Sequence, residues 1–286
     1  MSKIRVACLQ TSPELAQVSD NLERLIGMCH EAIHSDADLL ILPECSTTGW
    51  AFESAEQARS VAETVPDGPA CQAWLSICRN NNVYIVGGIA ELSGDSLYNT
   101  AVLIGPDGYI GSYRKAHTWA LEKKFYDPGD LGLPVFDTPI GRIGIHICYD
   151  CWFPESFRLL AAQGADLICA PSNWVPVPTQ RDDYPAMANL MCMTNAHSNL
   201  VYVAAASRVG ADGSQAFIGQ SLIVDPSGWP LAGPASATAE EIIYADMDLI
   251  GSRAERHGNV FNQPLRDRRI DLYSEMLGSG YIPGEY

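Results

Sequence analysis

The chain spells one folding unit twice, and that duplication restricts its architecture more than any other feature. Ala37-Asp-Leu-Leu-Ile-Leu-Pro-Glu44 returns as Ala165-Asp-Leu-Ile-Cys-Ala-Pro-Ser172. The text before each copy is also paired. An apolar run, Ile4–Gln10 or Ile143–Cys148, leads into a helical segment at about 19–34 or about 154–163. A second helical segment follows in each half, over about 55–81 with a break near Pro66–Pro69, and over about 181–198. In the latter Met187, Leu190, Met191 and Thr194 fall at helical spacing. Then Val83-Tyr-Ile-Val-Gly-Gly matches Val201-Tyr-Val-Ala-Ala-Ala. Ala101-Val-Leu-Ile-Gly-Pro-Asp-Gly matches Ser221-Leu-Ile-Val-Asp-Pro-Ser-Gly, each a strand ending in a turn.

The repeated unit therefore reads β-α-β-α-β-β. Crossover helices require largely parallel strands, and continuous apolar runs mark strands buried on both faces. One helix-covered sheet per half, with the bare faces packed together, predicts an α/β fold: a four-layer α-β-β-α sandwich. No Ser/Gly linker divides the halves, so residues 1–248 read as one domain, with repeats at about 1–115 and 140–248. The extension 249–286 lies outside the repeat and reads as a contact with a partner subunit or as a surface tail.

Composition removes several function classes. A formal net charge of −16 and a pI near 4.6 oppose nucleic-acid binding, which needs clustered Lys and Arg. No apolar stretch is long enough to span a bilayer, and Met-Ser-Lys-Ile-Arg-Val enters a strand without a signal-peptide pattern. Nine scattered cysteines, an odd number in a long chain, suit a reduced cytoplasmic protein. The six histidines show no metal spacing, so neither metal nor cofactor is expected.

Functional groups in such sheets gather beyond the carboxyl ends of strands. Cys148 sits where the run Ile143–Ile147 stops and helix-start signals begin, with Asp150 able to cap and Pro154-Glu155 suited to a first turn. Backbone N–H groups and a helix dipole there favour thiolate. The alternative is a buried, inert cysteine. The repeat puts Glu44 and Ser172 at equivalent strand ends, so a carboxylate and the thiol are expected to share one crevice. Lys115, in Tyr113-Arg-Lys-Ala-His117, follows the last strand and turn of the first repeat. Glu122 follows in Leu121-Glu-Lys-Lys-Phe-Tyr-Asp-Pro-Gly129.

The set Leu-Pro-Glu (42–44), Tyr-Arg-Lys-x-His (113–117) and Cys-Tyr-Asp-x-x-Phe-Pro-Glu (148–155) resembles the nitrilase, or carbon–nitrogen hydrolase, superfamily, from about Ile4 to Asp248. The resemblance implies that Cys148 is the nucleophile, Glu44 the general base, Lys115 the oxyanion-stabilising cation and Glu122 the second glutamate beside them. It also implies a homodimer or larger homo-oligomer acting on a small molecule without a cofactor. Tyr149, Trp119, Trp152, Asn173 and Trp174 are candidate substrate contacts, with Phe125 a further aromatic near the motifs. His117 is read as pocket support, His146 as a core residue and Cys151 as helix-face packing.

Other readings compete. Cys148-Tyr-Asp-Cys151 is a Cys-x-x-Cys, but a redox site needs no upstream Lys/Glu pair. A non-catalytic binding or assembly module would show loss of a motif residue, and none is lost. By resemblance, nitrile-hydrolysing members carry Cys-Trp-Glu, where this chain has Cys148-Tyr149-Asp150. N-carbamoyl amino acid hydrolases and omega-amidases carry an Arg shortly after the nucleophile, where Cys151 and Trp152 stand. N-carbamoylputrescine hydrolases have Trp there, which keeps carbamoyl amines open. The expected activity is hydrolysis of a small neutral or weakly cationic carboxamide to acid and ammonia. The alternatives are N-carbamoyl amine or amino acid hydrolysis, then nitrile hydrolysis.

Overall fold

In the computed structural model, which describes residues 3–181, 183–256 and 259–273, each repeat builds half of a sandwich. The first half runs β1 (Ile4–Gln10), α1 (Val18–His34), β2 (Leu39–Ile41), α2 (Ala55–Val61), α3 (Pro69–Asn81), β3 (Tyr84–Ser93), β4 (Ser96–Gly105) and β5 (Gly108–Arg114). The second runs β6 (Val135–Thr138), β7 (Gly141–Ile145), α4 (Pro154–Ala162), β8 (Leu167–Pro171), α5 (Met187–Asn199) and β9 (Tyr202–Ala206). It continues through the small hairpin β10 (Ala211–Asp212) and β11 (Gln215–Ala216), then β12 (Leu222–Val224), β13 (Pro230–Ala232) and β14 (Glu241–Met247).

Two six-stranded sheets result, ordered β14-β1-β2-β3-β4-β5 and β13-β12-β9-β8-β7-β6. In each, three central strands are parallel, β1-β2-β3 and β7-β8-β9, because α1, α3, α4 and α5 serve as crossovers. Alternate residues of one strand feed different layers. Val6 and Cys8 of β1 meet Ile143, Ile145, Leu167 and Ala204 between the sheets, whereas Ala7 and Leu9 pack outward on Leu25, Cys29 and Trp74. Across the molecule Ile168 and Val203 lie beneath Phe157, Leu160 and Cys192 of α4 and α5. The central strands are largely apolar on both faces because both faces are covered. The four layers are α-β-β-α, as the repeat predicts.

The structure adds strands beyond the predicted unit. Each half ends in a further edge strand, β5 or β13. Antiparallel β14 and β6 flank β1 and β7 in matching places, so β14 returns from the end of the second half to close the first sheet. The second helix of the second half begins at Met187 rather than near 181. Pro185 lacks an N–H and disfavours helical backbone at Tyr184, and the Gln180 side chain accepts the Met187 N–H at 3.0 Å. Of the C-terminal extension, Arg253 and Arg256 grip the buried Asp166 of the same chain at 2.9 and 2.5 Å. The tail Gly280-Tyr-Ile-Pro-Gly-Glu-Tyr286 lies outside the described residues. Among the described residues no helix is long and apolar enough to cross a membrane.

Candidate active site

The motif residues meet at one end of the parallel strands. Glu44 lies three residues past β2, and its loop crosses close over β3: a Cβ on Gly88 would stand 2.5 Å from Pro43 O and 2.6 Å from Glu44 Cα. Glycine is required for that approach. Lys115 directly follows β5, with its backbone fixed by bonds to Asn99 O and from Gly129 N, both 2.8 Å. Glu122 sits in a 3-10 turn over Ala120–Lys124. Cys148 opens another, Cys148–Trp152, just past β7. Its φ of +47° is a left-handed conformation uncommon outside glycine.

Lys115 Nζ donates to Glu44 Oε1 at 2.6 Å and to Glu122 Oε2 at 2.8 Å, and all three side chains are buried. Asn99 Nδ2 donates to Oε1 of both glutamates, at 2.6 Å each. Trp50 Nε1 adds a bond to Glu122 Oε1 at 2.8 Å, and the Trp119 N–H one to Oε2 at 2.6 Å. Glu122 thus accepts from four donors. Glu44 Oε2 accepts from none. Burial pushes the Glu44 carboxyl up, against the opposing pull of Lys115. For Lys115 burial acts to lower the pKa, but the charges of Glu122 and Glu44 outweigh it and hold the ammonium well above the ordinary range.

Cys148 is partly exposed, whereas the other eight cysteines are buried. The expectation of a thiolate promoted by the helix start needs correction. Burial is the largest influence and, with the charge of Glu44, pushes the thiol well above its usual value; Lys115 and the Asn173 backbone N–H pull the other way. That balance favours the thiol over the thiolate.

Asp150 does not cap α4, which starts with Pro154 after Phe153. Its buried carboxylate accepts from Ile147 N (3.0 Å), Tyr113 Oη (2.8 Å) and His117 N (3.1 Å), with His117 Nδ1 at 2.7 Å. It thereby ties the cysteine turn to the lysine turn. Burial would raise its pKa, but bonds from His117 and Tyr113 and the nearby His146 hold it below the ordinary range.

The pocket over Cys148 brings together all five predicted substrate contacts, Trp119, Tyr149, Trp152, Asn173 and Trp174. Both polar side-chain atoms of buried Asn173 lack partners. Phe125 stays outside, packing with Tyr126 near Phe52. His117 stacks on Phe153 at 3.6 Å and buried His146 meets Phe157 edge-on at 4.2 Å. Burial pushes His146 down to about 4. Cys151 lies in the helix-side core. Ser172 is buried, its hydroxyl donating to Ala170 O at 3.0 Å.

Sequence reading missed Asn99 and Trp50. A polar residue within the apolar run Leu97–Gly105 was the available signal for Asn99; Trp50 carried none. Among the described residues no group of three or more His, Cys, Asp or Glu could hold a metal ion.

The sequence profile described as carbon-nitrogen hydrolase matches residues 5–256. Over 270 residues the chain is 40% identical to a protein named nitrilase from Pyrococcus abyssi (strain GE5 / Orsay), covering 94% of this chain and 99% of that one. An omega-amidase of Homo sapiens is 32% identical over 286 residues, covering 96% and 98%. A nitrilase-superfamily crystal structure from Saccharomyces cerevisiae superposes with a TM-score of 0.79 at 31% identity, covering 89% of this chain and 93% of that one. The amidase from Nesterenkonia sp. AN1, 23% identical with a TM-score of 0.77 and coverage of 96% and 99%, shares the fold. With the carbon-nitrogen hydrolase profile spanning both repeats, a 40% identical relative covered almost end to end and the motif residues gathered at one strand end, the chain belongs to the carbon–nitrogen hydrolase family, in the amidase-like branch of the nitrilase superfamily.

Proposed function

We propose that this enzyme hydrolyses a small neutral carboxamide to acid and ammonia through a thioester on Cys148. The observation that carries the reading is the asymmetry of the two glutamates around Lys115. Glu44 keeps one oxygen without a partner, beside a thiol that burial holds protonated. Glu44 Oε2 takes the thiol proton as Sγ attacks the amide carbon, and the carbonyl oxygen gains the electron pair. Lys115 and a backbone N–H at Tyr149 stabilise that oxyanion. When the tetrahedral adduct collapses, Glu44 returns the proton to the departing nitrogen, which leaves as ammonia. Water then gives a proton to Glu44 and attacks the thioester; the carboxylic acid departs and the sulfur takes the proton back. Glu122, with four donors, is the fixed anchor for Lys115.

The pocket supports a neutral substrate. Trp50, Trp119, Tyr149, Trp152 and Trp174 surround the thiol with the free amide of Asn173, and among the described residues no guanidinium lines the space. The same reading takes 1–248 as one catalytic unit of a cytoplasmic homo-oligomer, with 249–286 at a subunit contact. Exposed Ile270 and Tyr273 beside Leu159 in one groove support that contact. Light scattering tests it.

Nitrile hydrolysis is a second reading, favoured by the 40% identical relative named nitrilase. Tyr149-Asp150 in place of Trp-Glu after the nucleophile speaks against it. Ammonia release from matched amides, nitriles and carbamoyl compounds decides. Turnover of the amide well above the nitrile supports the proposal, and the reverse order replaces it.

A further inference from the structure

One buried carboxylate closes two turns, and each turn encloses a group of the proposed mechanism. Asp150 Oδ2 accepts the Ile147 N–H at 3.0 Å, and the Asp150 N–H donates back to Ile147 O at 3.0 Å. Cys148, with its φ of +47°, and Tyr149 lie between these reciprocal bonds. On the other side Tyr113 Oη donates to Oδ2 at 2.8 Å, and His117 N donates to Oδ1 at 3.1 Å with its ring Nδ1 at 2.7 Å. Tyr113 and His117 stand two residues before and two after Lys115. Tyr113 Oη also accepts the Ala116 N–H at 3.0 Å, drawing the lysine turn shut.

The two turns belong to different sheets. Lys115 follows β5 of the first, and Cys148 follows β7 of the second. A bridge between the sheets at this end therefore sets how far apart the two turns stand. A buried carboxylate is costly unless hydrogen-bonded, and Asp150 is fully buried. Donors from both turns converge on it, so its ionised form is stable only while the turns keep this spacing.

We propose that Asp150 is a positioning residue that fixes the distance between the two oxyanion donors, the Lys115 ammonium and the Tyr149 N–H. The proposal rests on the thioester mechanism above. Its loss should weigh on the tetrahedral state, where the oxygen carries charge, rather than on the bound neutral amide.

Asp150→Asn keeps the volume but offers one acceptor oxygen. Whichever way the amide turns, its NH2 group opposes a peptide N–H, from Ile147 or from His117. With butyramide, kcat should fall about 10²-fold, the cost of a small misplacement, and KM should stay within about threefold. Tyr113→Phe removes one arm of the bridge and should lower kcat about tenfold. In the Asp150→Asn background it should add less than about threefold, because the bridge is already open. Butyraldehyde supplies the readout that separates positioning from packing. Its carbonyl carbon bonds to Cys148 Sγ, the thiol proton passes to the carbonyl oxygen and nothing leaves, so the adduct copies the tetrahedral state. Its affinity, read as protection of Cys148 from iodoacetamide, needs no turnover. That affinity should weaken about 10²-fold in Asp150→Asn and about tenfold in Tyr113→Phe, in step with kcat. Tyr113→Phe decides alone if Asp150→Asn does not fold. A parent protected by butyraldehyde that releases no ammonia from butyramide overturns the amide reading, and the aldehyde affinities of the variants still decide the role of Asp150. Unchanged aldehyde affinity in the folded variants, or losses that multiply in the double variant, overturns the positioning role.

Discussion

Lys115 donates to one oxygen of Glu44 at 2.6 Å and leaves the other without a partner. The ammonium holds the carboxylate in place while its free edge stays available for a proton. Glu122, bound to the same ammonium, has no such edge, and on that difference the proposed mechanism gives the two buried glutamates different tasks.

Removing the base should therefore cost more than removing the anchor. Glu44→Gln keeps shape and loses proton affinity, and kcat should fall about 10²–10⁴-fold with little change in KM. Glu122→Gln loses one charge-assisted contact to Lys115, with an expected fall of about 10–100-fold. Steady-state ammonia release separates the two, and equal losses would remove the distinction.

The pH profile carries the same signature. In the proposed mechanism Glu44 must be ionised to accept the thiol proton, and burial raises its pKa above the ordinary carboxylate value. The acid limb of kcat/KM should accordingly lie above that value. Lys115 lowers the Glu44 pKa, so Lys115→Met removes a cation, favours the protonated acid and moves the limb to higher pH. A limb that stays put or moves down contradicts the pairing.

Much of this was legible before any coordinates, for specific reasons. The duplicated Ala-Asp-Leu text placed β2 and β8 together with Glu44 and Ser172 past their ends, and buried parallel strands announce themselves as unbroken apolar runs. What escaped notice depends on distant partners. β14 pairs with β1 across nearly the whole chain, Ile4 opposite Met247, and no local pattern encodes that register. Helical spacing of Met187, Leu190, Met191 and Thr194 marks α5 but not its start, which Pro185 holds back to Met187. Trp50 joins the site from a distant loop, through an indole bond to Glu122 and a place in the pocket wall, and the thiol's raised pKa follows from burial rather than from the helix start beside it.

Asn99 offers a sharper test of the charge arrangement, because its one amide nitrogen serves both glutamates. Asn99→Leu should lower kcat about 10–100-fold by leaving two buried acceptors short of a donor. Asn99→Asp places a third carboxylate against one ammonium, and its acid limb should shift upward relative to Asn99→Leu. Identical pH profiles for the two variants would reduce Asn99 to packing.

A buried ion pair in the second repeat supports the loop after Glu44. Arg208 Nη1 meets Asp212 Oδ2 at 2.9 Å, and that oxygen accepts from Trp50 N at 2.8 Å and Ala51 N at 3.1 Å. Arg208→Met strands the Asp212 charge and should cost about 3–5 kcal/mol in denaturant unfolding. Adding Asp212→Asn should restore part of the loss. A single variant as stable as the parent would show the pair to be dispensable.

The most direct measurement is rapid-quench peptide mass spectrometry during turnover of saturating butyramide. The account predicts a mass gain equal to substrate less ammonia on the peptide bearing Cys148, with no adduct and no ammonia from a folded Cys148→Ala protein. An adduct on another residue, or ammonia released by Cys148→Ala at the parent rate, would contradict it.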